Sequence, residues 1–263
     1  MGKELLHIWG PFSIQSYGLF IALGIAIAAW LFIHDPKRKS ILTTEQLSKI
    51  ITCTIFVAII GGRLLYIFEE NSSIQNFWDI FKVWEGGLSS LGSIVSIFVC
   101  IPLYLKYLHI SIINFFDLAA IYAPIIEGTA RIGCFLAGCC YGIETTVPWA
   151  VIYTDPHSAA PLHKTIHPTQ LYSSAAAFLA FVIMRFLASK KLNLPGQLIA
   201  TYLILTSIAR FSIDFLRGDR TFFSNHGILS ILSTSQWISL LICLASFVVI
   251  IVIKKFSKYN TKK

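Results

Sequence analysis

Arginine, aspartate and arginine stand at positions 210, 214 and 217 of a run that is otherwise apolar. The spacing of i, i+4 and i+7 puts all three on one face of a helix. Asp214 can neutralise one guanidinium but not both, so positive charge is left over. A structural ion pair and an anion site both fit; the leftover charge favours the anion site. A second apolar run carries Arg131, in Gly128-Thr-Ala-Arg131-Ile-Gly133-Cys134-Phe-Leu-Ala-Gly138-Cys139-Cys140-Tyr141-Gly142. Its glycines recur every four or five residues, a spacing that suits close helix packing and also lets a headgroup approach the backbone. A guanidinium beside them suits phosphate, because two parallel N–H groups match two phosphate oxygens. Two deep arginines from different helices suggest a phospholipid headgroup drawn into the bundle.

Three of the six cysteines, Cys134, Cys139 and Cys140, crowd into that segment. A structural metal site wants four ligands at established spacing; the remaining ligands are not obvious, and His163 and His167 are candidates on paper only. The cysteines are therefore read as small apolar packing residues, ahead of a disulfide or a metal, and no metal or organic cofactor is expected. Cys53, Cys100 and Cys243 sit inside apolar runs and read the same way. The segment His167-Pro168-Thr169-Gln170-Leu171-Tyr172 opens another apolar run. Proline suits the first helical position, which places His167 and Gln170 at the mouth of any cavity.

The elements that must carry these residues follow from composition. Of 263 residues, 56% are hydrophobic and 13% charged, against roughly 25% charged in soluble domains. Several apolar runs of about 20 residues need lipid, and in lipid they must be helices. The expectation is an all-α, polytopic helical membrane protein with about seven transmembrane helices. It forms a single integral membrane domain over 1–263, with 141–169 as an extracytoplasmic loop or small head. The expected spans are 14–33, 47–68, 88–107, 112–137, 170–187, 197–216 and 235–253. The loop holding Phe77, Trp78, Phe81 and Trp84 suits the membrane interface, and Trp149–Tyr153 suits a short strand. A charge near the bilayer centre costs roughly 2.5–3.5 kcal/mol, so Arg63, Arg131 and Arg210 must face the bundle interior or snorkel. The net charge of +8 reads as topology-setting lysine and arginine rather than a nucleic-acid surface. Thirteen of the 21 Lys and Arg lie on one side (37–39, 49, 106, 185, 190, 191, 254, 255, 258, 262, 263) and five on the other (3, 82, 164, 217, 220). That bias puts the N-terminus outside and the C-terminus in the cytoplasm.

These motifs, in order, resemble those of the prolipoprotein diacylglyceryl transferase family. The likeness rests on Gly10-Pro11 to Tyr17-Gly18, Gly61-Gly62-Arg63-Leu64-Leu65-Tyr66 and Glu85-Gly86-Gly87-Leu88-Ser89-Ser90-Leu91-Gly92. It continues through Ala130-Arg131 to Gly142, His167 to Tyr172, and Arg210-Phe-Ser-Ile-Asp214-Phe-Leu-Arg217. The resemblance implies a bacterial cytoplasmic-membrane enzyme with phosphatidylglycerol and a prolipoprotein lipobox segment as partners, among membrane lipids. It would move an sn-1,2-diacylglyceryl group to the lipobox cysteine thiol and release glycerol 1-phosphate. Arg131, Arg210 and Tyr17 are then the catalytic candidates. Arg131, Arg210, Gly142, Asp214, His167, Gln170 and Arg63 are the candidates for substrate binding. The chain departs from the family's pattern at four positions: Leu91 replaces a histidine, Cys134 an asparagine, Cys139 an acidic residue and Asp214 a glutamate. With no histidine at 91, a strongly positive pocket is expected to ionise the acceptor thiol without a dedicated base. A lipid or small-anion transporter using the same arginines is the alternative, although no internal repeat of the transporter kind is visible. An inactive transferase-like scaffold is the third reading.

Overall fold

The computed structural model describes residues 4–9, 12–69, 87–223 and 230–260. Strands β1 (Glu4–Trp9) and β2 (Phe12–Gln15) pair ahead of the first helix, α1 (Ser16–His34). A 3-10 turn over Pro36–Ser40 starts at Asp35, whose carboxylate accepts from the Lys37 amide at 2.8 Å. Arg38 turns back, its Nε donating to the Ile33 carbonyl at 3.1 Å, so a carbonyl the helix leaves open gains a cationic donor. Helix α2 (Thr44–Glu69) opens on a reciprocal capping pair. The Gln46 amide donates to Thr43 Oγ1 at 3.1 Å, and the Thr43 amide donates to Gln46 Oε1 at 2.9 Å. Helices α3 (Ser90–Tyr107) and α4 (Ile112–Ala137) follow. Beyond them β3 (Val151–Ile152) and β4 (Thr165–Ile166) pair antiparallel, Val151 opposite Ile166. Helix α5 (Thr169–Val182) runs through a π-helical stretch, Ile183–Ala188, into the single turn α6 (Ser189–Lys191). Helices α7 (Gln197–Asp214) and α8 (Thr234–Asn260) complete the chain.

Five of these segments are long and apolar enough to cross a membrane: Ser16–His34, Thr44–Glu69, Ile112–Ala137, Thr169–Lys191 and Thr234–Ser257. A shorter apolar helix covers Leu91–Tyr107, and α7 is the helix made more polar by Arg210 and Asp214. Their outer faces expose large apolar side chains such as Trp30, Phe98 and Phe247, each about 60% exposed. Only lipid accommodates such faces. The chain is an all-α polytopic membrane protein. The aromatic loop around Phe77–Trp84, and the motif residues Gly10, Pro11, Glu85 and Gly86, lie outside the described residues.

The chain divides into two compact units, one of them Ile33–Phe115 with a short N-terminal piece and the other Ile14–Phe32, which is most of α1, together with a short N-terminal piece and everything from Phe116 onward. In the first of these, α2 and α3 meet at glycines. An added Cβ on Gly61 would strike Ser96 and come within 2.9 Å of the Gly92 carbonyl, and Ser93 Oγ donates to the Ala58 carbonyl at 2.8 Å. In the other unit small residues do the same work for α1, α4 and α5. Gly24 of α1 faces Thr129 of α4, Gly128 sits 3.0 Å from the Phe178 ring by its missing Cβ, and Ser174 Oγ donates to the Gly128 carbonyl at 2.8 Å. This is packing without a hydrophobic driving force, where close backbone approach supplies the contact. Buried Asp117 of α4 accepts from the Gly196 amide at 2.6 Å and the Ile199 amide at 2.8 Å. A distant carboxylate thus caps α7, which lacks a capping side chain at Gly196.

Three local expectations change. Helix α4 ends at Ala137, so Gly138 and Gly142 leave the flank shared by Gly128 and Gly133. Pro168 is the residue before α5, with φ −77° and ψ 64°, not its first helical residue. Helix α7 ends at Asp214, so Arg217 does not continue the Arg210 face. The strand expected within Trp149–Tyr153 is β3.

Candidate active site

Gly138 takes φ +74°, a left-handed value that ends α4 and turns the chain back. An added Cβ there would strike Ser158. Cys140, at φ +58°, completes the reversal, and the result is that the sulfurs of Cys134, Cys139 and Cys140 lie within 4.8 Å of one another. The turn is held from α5. Gln170 Nε2 donates to the Cys139 carbonyl at 2.8 Å and Thr169 Oγ1 to the Cys140 carbonyl at 2.8 Å. Both side chains are fully buried. Gln170 Oε1 is also buried and has no hydrogen-bond partner among the described residues. Tyr153 supports the same turn from the head region, donating to the Phe135 carbonyl at 2.7 Å. Burial pushes its phenol up to about 12.

Two further strands of chain close on this turn. Gly142 pairs with Arg217 as an antiparallel bridge, with Ile143 N donating to the Leu216 carbonyl at 2.9 Å and Gly218 N to the Tyr141 carbonyl at 3.0 Å. His167 N donates to the Ile143 carbonyl at 3.0 Å. The His167 ring sits 3.2 Å from the Tyr172 hydroxyl, which also accepts from Trp149 Nε1 at 2.6 Å. His167, Gly142 and Gln170 therefore build the scaffold around the cysteine turn.

Arg131 NH1 donates to Cys140 Sγ at 3.7 Å, and Arg217 also counts Cys140 among its partners. Hydrogen bonds with Cys134 and Cys139, then the guanidiniums of Arg217 and Arg131, hold the Cys140 thiol well below the usual thiol range. Tyr17 of α1 falls within electrostatic reach of Arg131 and all three cysteines, because Gly133 lets α1 approach until a Cβ there would sit 3.0 Å from Tyr17 Cα. Arg210 NH2 donates to Ser235 Oγ at 3.1 Å and feels the charges of both Arg217 and Arg131.

The expected pairing of Asp214 with an arginine of its own helix face is replaced by another. Arg217 forks onto Asp219 at 2.8 and 2.7 Å. Buried Asp214 instead accepts from Ser233 and lies 3.5 Å from Arg220 Nε. Arg220 NH2 in turn donates to Gln236 Oε1 at 2.8 Å. Asp214 therefore fixes the α7–α8 junction, and among the described residues no carboxylate forks onto Arg210. Asp219, two residues past Arg217, was legible as a local partner only once the helix was known to end at Asp214.

Arg131 and Arg210 line one open pocket between α4, α5 and α7. Its α5 wall is Ser173, Ala176, Ala177 and Ala180, and its α7 wall includes Thr206 and Ala209. Glu127, one turn before Arg131, also lines it and accepts from Tyr202 at 3.3 Å. The i, i+4 spacing of Glu127 and Arg131 was the signal for it. Arg63 lies in the other unit, where its NH1 donates to the Gly87 carbonyl at 3.0 Å and its guanidinium stands 5.4 Å over the Tyr66 ring. Leu91 is an exposed residue of α3 in that same unit.

The family model for prolipoprotein diacylglyceryl transferase matches residues 3–252. A phosphatidylglycerol–prolipoprotein diacylglyceryl transferase of Clostridium tetani is 35% identical over 91% of this chain and 93% of its own length. Two paralogous proteins of Clostridium perfringens with that name, numbered 2 and 1, are 33% and 30% identical over 88% and 96% of this chain and 87% and 95% of theirs. With its near-complete match and its six ordered motifs, the chain belongs to the prolipoprotein diacylglyceryl transferase family, and is a transferase.

Proposed function

We propose that this transferase moves the sn-1,2-diacylglyceryl group of phosphatidylglycerol onto the lipobox cysteine thiol of prolipoproteins, with glycerol 1-phosphate as the leaving group. The observation that carries the reading is the pocket lined by both Arg131 and Arg210. The acceptor thiol, ionised beside the cationic pocket, loses its proton to solvent, and its sulfur attacks the glyceryl carbon next to the phosphate ester oxygen. The C–O bond breaks, and its electron pair goes to the phosphate. Preorganised cationic donors stabilise that growing charge. Arg131 and Arg210 supply it from two helices, and the small α5 residues leave room for the donor's glyceryl body. Tyr17 reaches the same neighbourhood and orients the headgroup. Gln170, His167 and Gly142 hold the turn that carries Arg131's sulfur partner, and Asp214 fixes the α7–α8 junction behind Arg210. Arg63, held within its own unit by the Gly87 carbonyl, is a further candidate for substrate binding.

The lysine and arginine bias supports a C-terminus in the cytoplasm and an N-terminus outside, in the bacterial cytoplasmic membrane. The head formed by 141–169 then faces the side on which exported precursors emerge. Incubation of the purified protein with phosphatidylglycerol vesicles and a lipobox peptide is the test. The peptide gains the mass of one diacylglyceryl group, with equimolar glycerol phosphate released. Folded protein that yields neither product would overturn the reading, and lipid movement without transfer would put a transporter in its place.

A further inference from the structure

The three sulfurs at the exit of α4 are gathered more closely than apolar packing requires. Thiolates around one ion at a bond length of about 2.3 Å stand about 4 Å apart, and the Sγ atoms of Cys134, Cys139 and Cys140 all lie within 4.8 Å of one another. The construction behind them is costly. Gly138 and Cys140 both take left-handed backbone, which a non-glycine residue rarely adopts. Two fully buried side chains, Gln170 and Thr169, are spent on clamping the carbonyls of Cys139 and Cys140. Charge also fits. Three thiolates around a divalent ion carry one net negative charge, and Arg131 and Arg217 both lie against Cys140. All three cysteines are free thiols, and Cys139 and Cys140 are partly exposed.

We propose that Cys134, Cys139 and Cys140 bind one divalent d10 ion of the zinc class, and that its open fourth position takes the acceptor cysteine of the precursor. The inference rests on the transferase reading above. Three protein ligands plus one open position is the arrangement of a reactive zinc site, not of a closed structural one. A coordinated thiol is deprotonated outright, so the acceptor S–H gives its proton to buffer on binding. The bound thiolate then forms the S–C bond to the glyceryl carbon while the C–O bond to phosphate breaks, and the electron pair leaves on the phosphate beside Arg131 and Arg210. No electron is gained or lost overall. The product thioether is a neutral, weaker ligand, so the position reopens for the next thiol. Such an ion removes the need for a basic side chain, which accords with Leu91 at the position where the family pattern has histidine. Arg131 both touches Cys140 and lines the lipid pocket, so it links the site of the nucleophile to the site of the leaving group.

The full chain in detergent, stripped of metal by a chelator, is titrated with Cd2+ while thiolate-to-metal charge-transfer absorbance is followed. The band saturates at one ion per chain, and a Cys134→Ser, Cys139→Ser, Cys140→Ser triple variant that melts like stripped wild type shows none. A lipobox peptide then raises the band by about a third, as a fourth sulfur joins three, whereas its Cys→Ser counterpart leaves it unchanged. Transfer by stripped protein drops sharply and returns with Zn2+. The proposal is overturned if the triple variant binds Cd2+ like wild type, if the cysteine peptide leaves the band unmoved, or if stripped protein transfers at full rate. A band that rises with peptide while no protein, with or without Zn2+, adds a diacylglyceryl group would retain the thiol-binding metal site and refute the transferase reading instead.

Discussion

Replacing Gly142 by alanine adds one methyl group at the point where three segments converge. An added Cβ would collide with the His167 carbonyl oxygen, stand 2.6 Å from His167 Cβ and 3.0 Å from the Leu216 carbonyl oxygen. Carbon atoms in contact settle at about 3.5–4.0 Å, so the strands must part by roughly 1 Å. Neither neighbour can yield as a free side chain would, because the obstruction is backbone. Overpacking of this kind costs about 1–3 kcal/mol. Prising apart the Ile143–Leu216 or Tyr141–Gly218 hydrogen bond adds about 0.5–1.5 kcal/mol each. The expected loss is thus about 2–4 kcal/mol, read by unfolding in mixed detergent micelles. The catalytic cost is separate. The same junction carries the turn next to Arg131, and a misplacement of about 1 Å can lower a rate by about 100-fold. Transfer to a lipobox peptide, normalised to folded protein, measures it. Gly18→Ala is the stability control, since no described atom lies within 4 Å of a Cβ built there. A Gly142→Ala protein as stable and as fast as wild type would refute the steric argument.

Arg131→Ala should abolish transfer while the protein still inserts and folds, measured by product mass and by detergent-extracted yield; normal turnover would remove the phosphate pocket from the mechanism. Arg210→Lys should lower turnover by about 100- to 1000-fold, because a point charge replaces neither the planar fork nor the Ser235 hydrogen bond. Asp117→Ala should destabilise the fold by about 2–3 kcal/mol, since two amides at the start of α7 lose their acceptor. Asp117→Asn should recover a good part of that loss, and an unchanged unfolding midpoint in the alanine variant would contradict the capping role.

Helix positions were legible because lipid imposes length and apolarity directly on the chain. Span four was expected at 112–137 and α4 occupies Ile112–Ala137. The site was legible only in part. Arg131 and Arg210 announced themselves as costly charges in apolar runs, and they share a pocket. Their partners were not legible, because helical spacing predicts neighbours only while the helix lasts. Once α7 ends at Asp214, Arg217 swings to Asp219, and Asp214 meets Ser233 from the next helix instead. The convergence of Cys134 with Cys139 and Cys140 was hidden for the same reason. Positions five and six residues apart are poorly aligned on a helix, and only the left-handed Gly138 folds them together.

The carboxylate that completes α7 belongs to a residue 79 positions earlier in the chain. An amide left without an acceptor is expensive where water is scarce, so the start of the helix bearing Arg210 gains about 2–3 kcal/mol when Asp117 is in place. The helix that carries Arg131 thus also steadies the start of the helix that carries Arg210, tying the two guanidiniums of one pocket to a single packing contact.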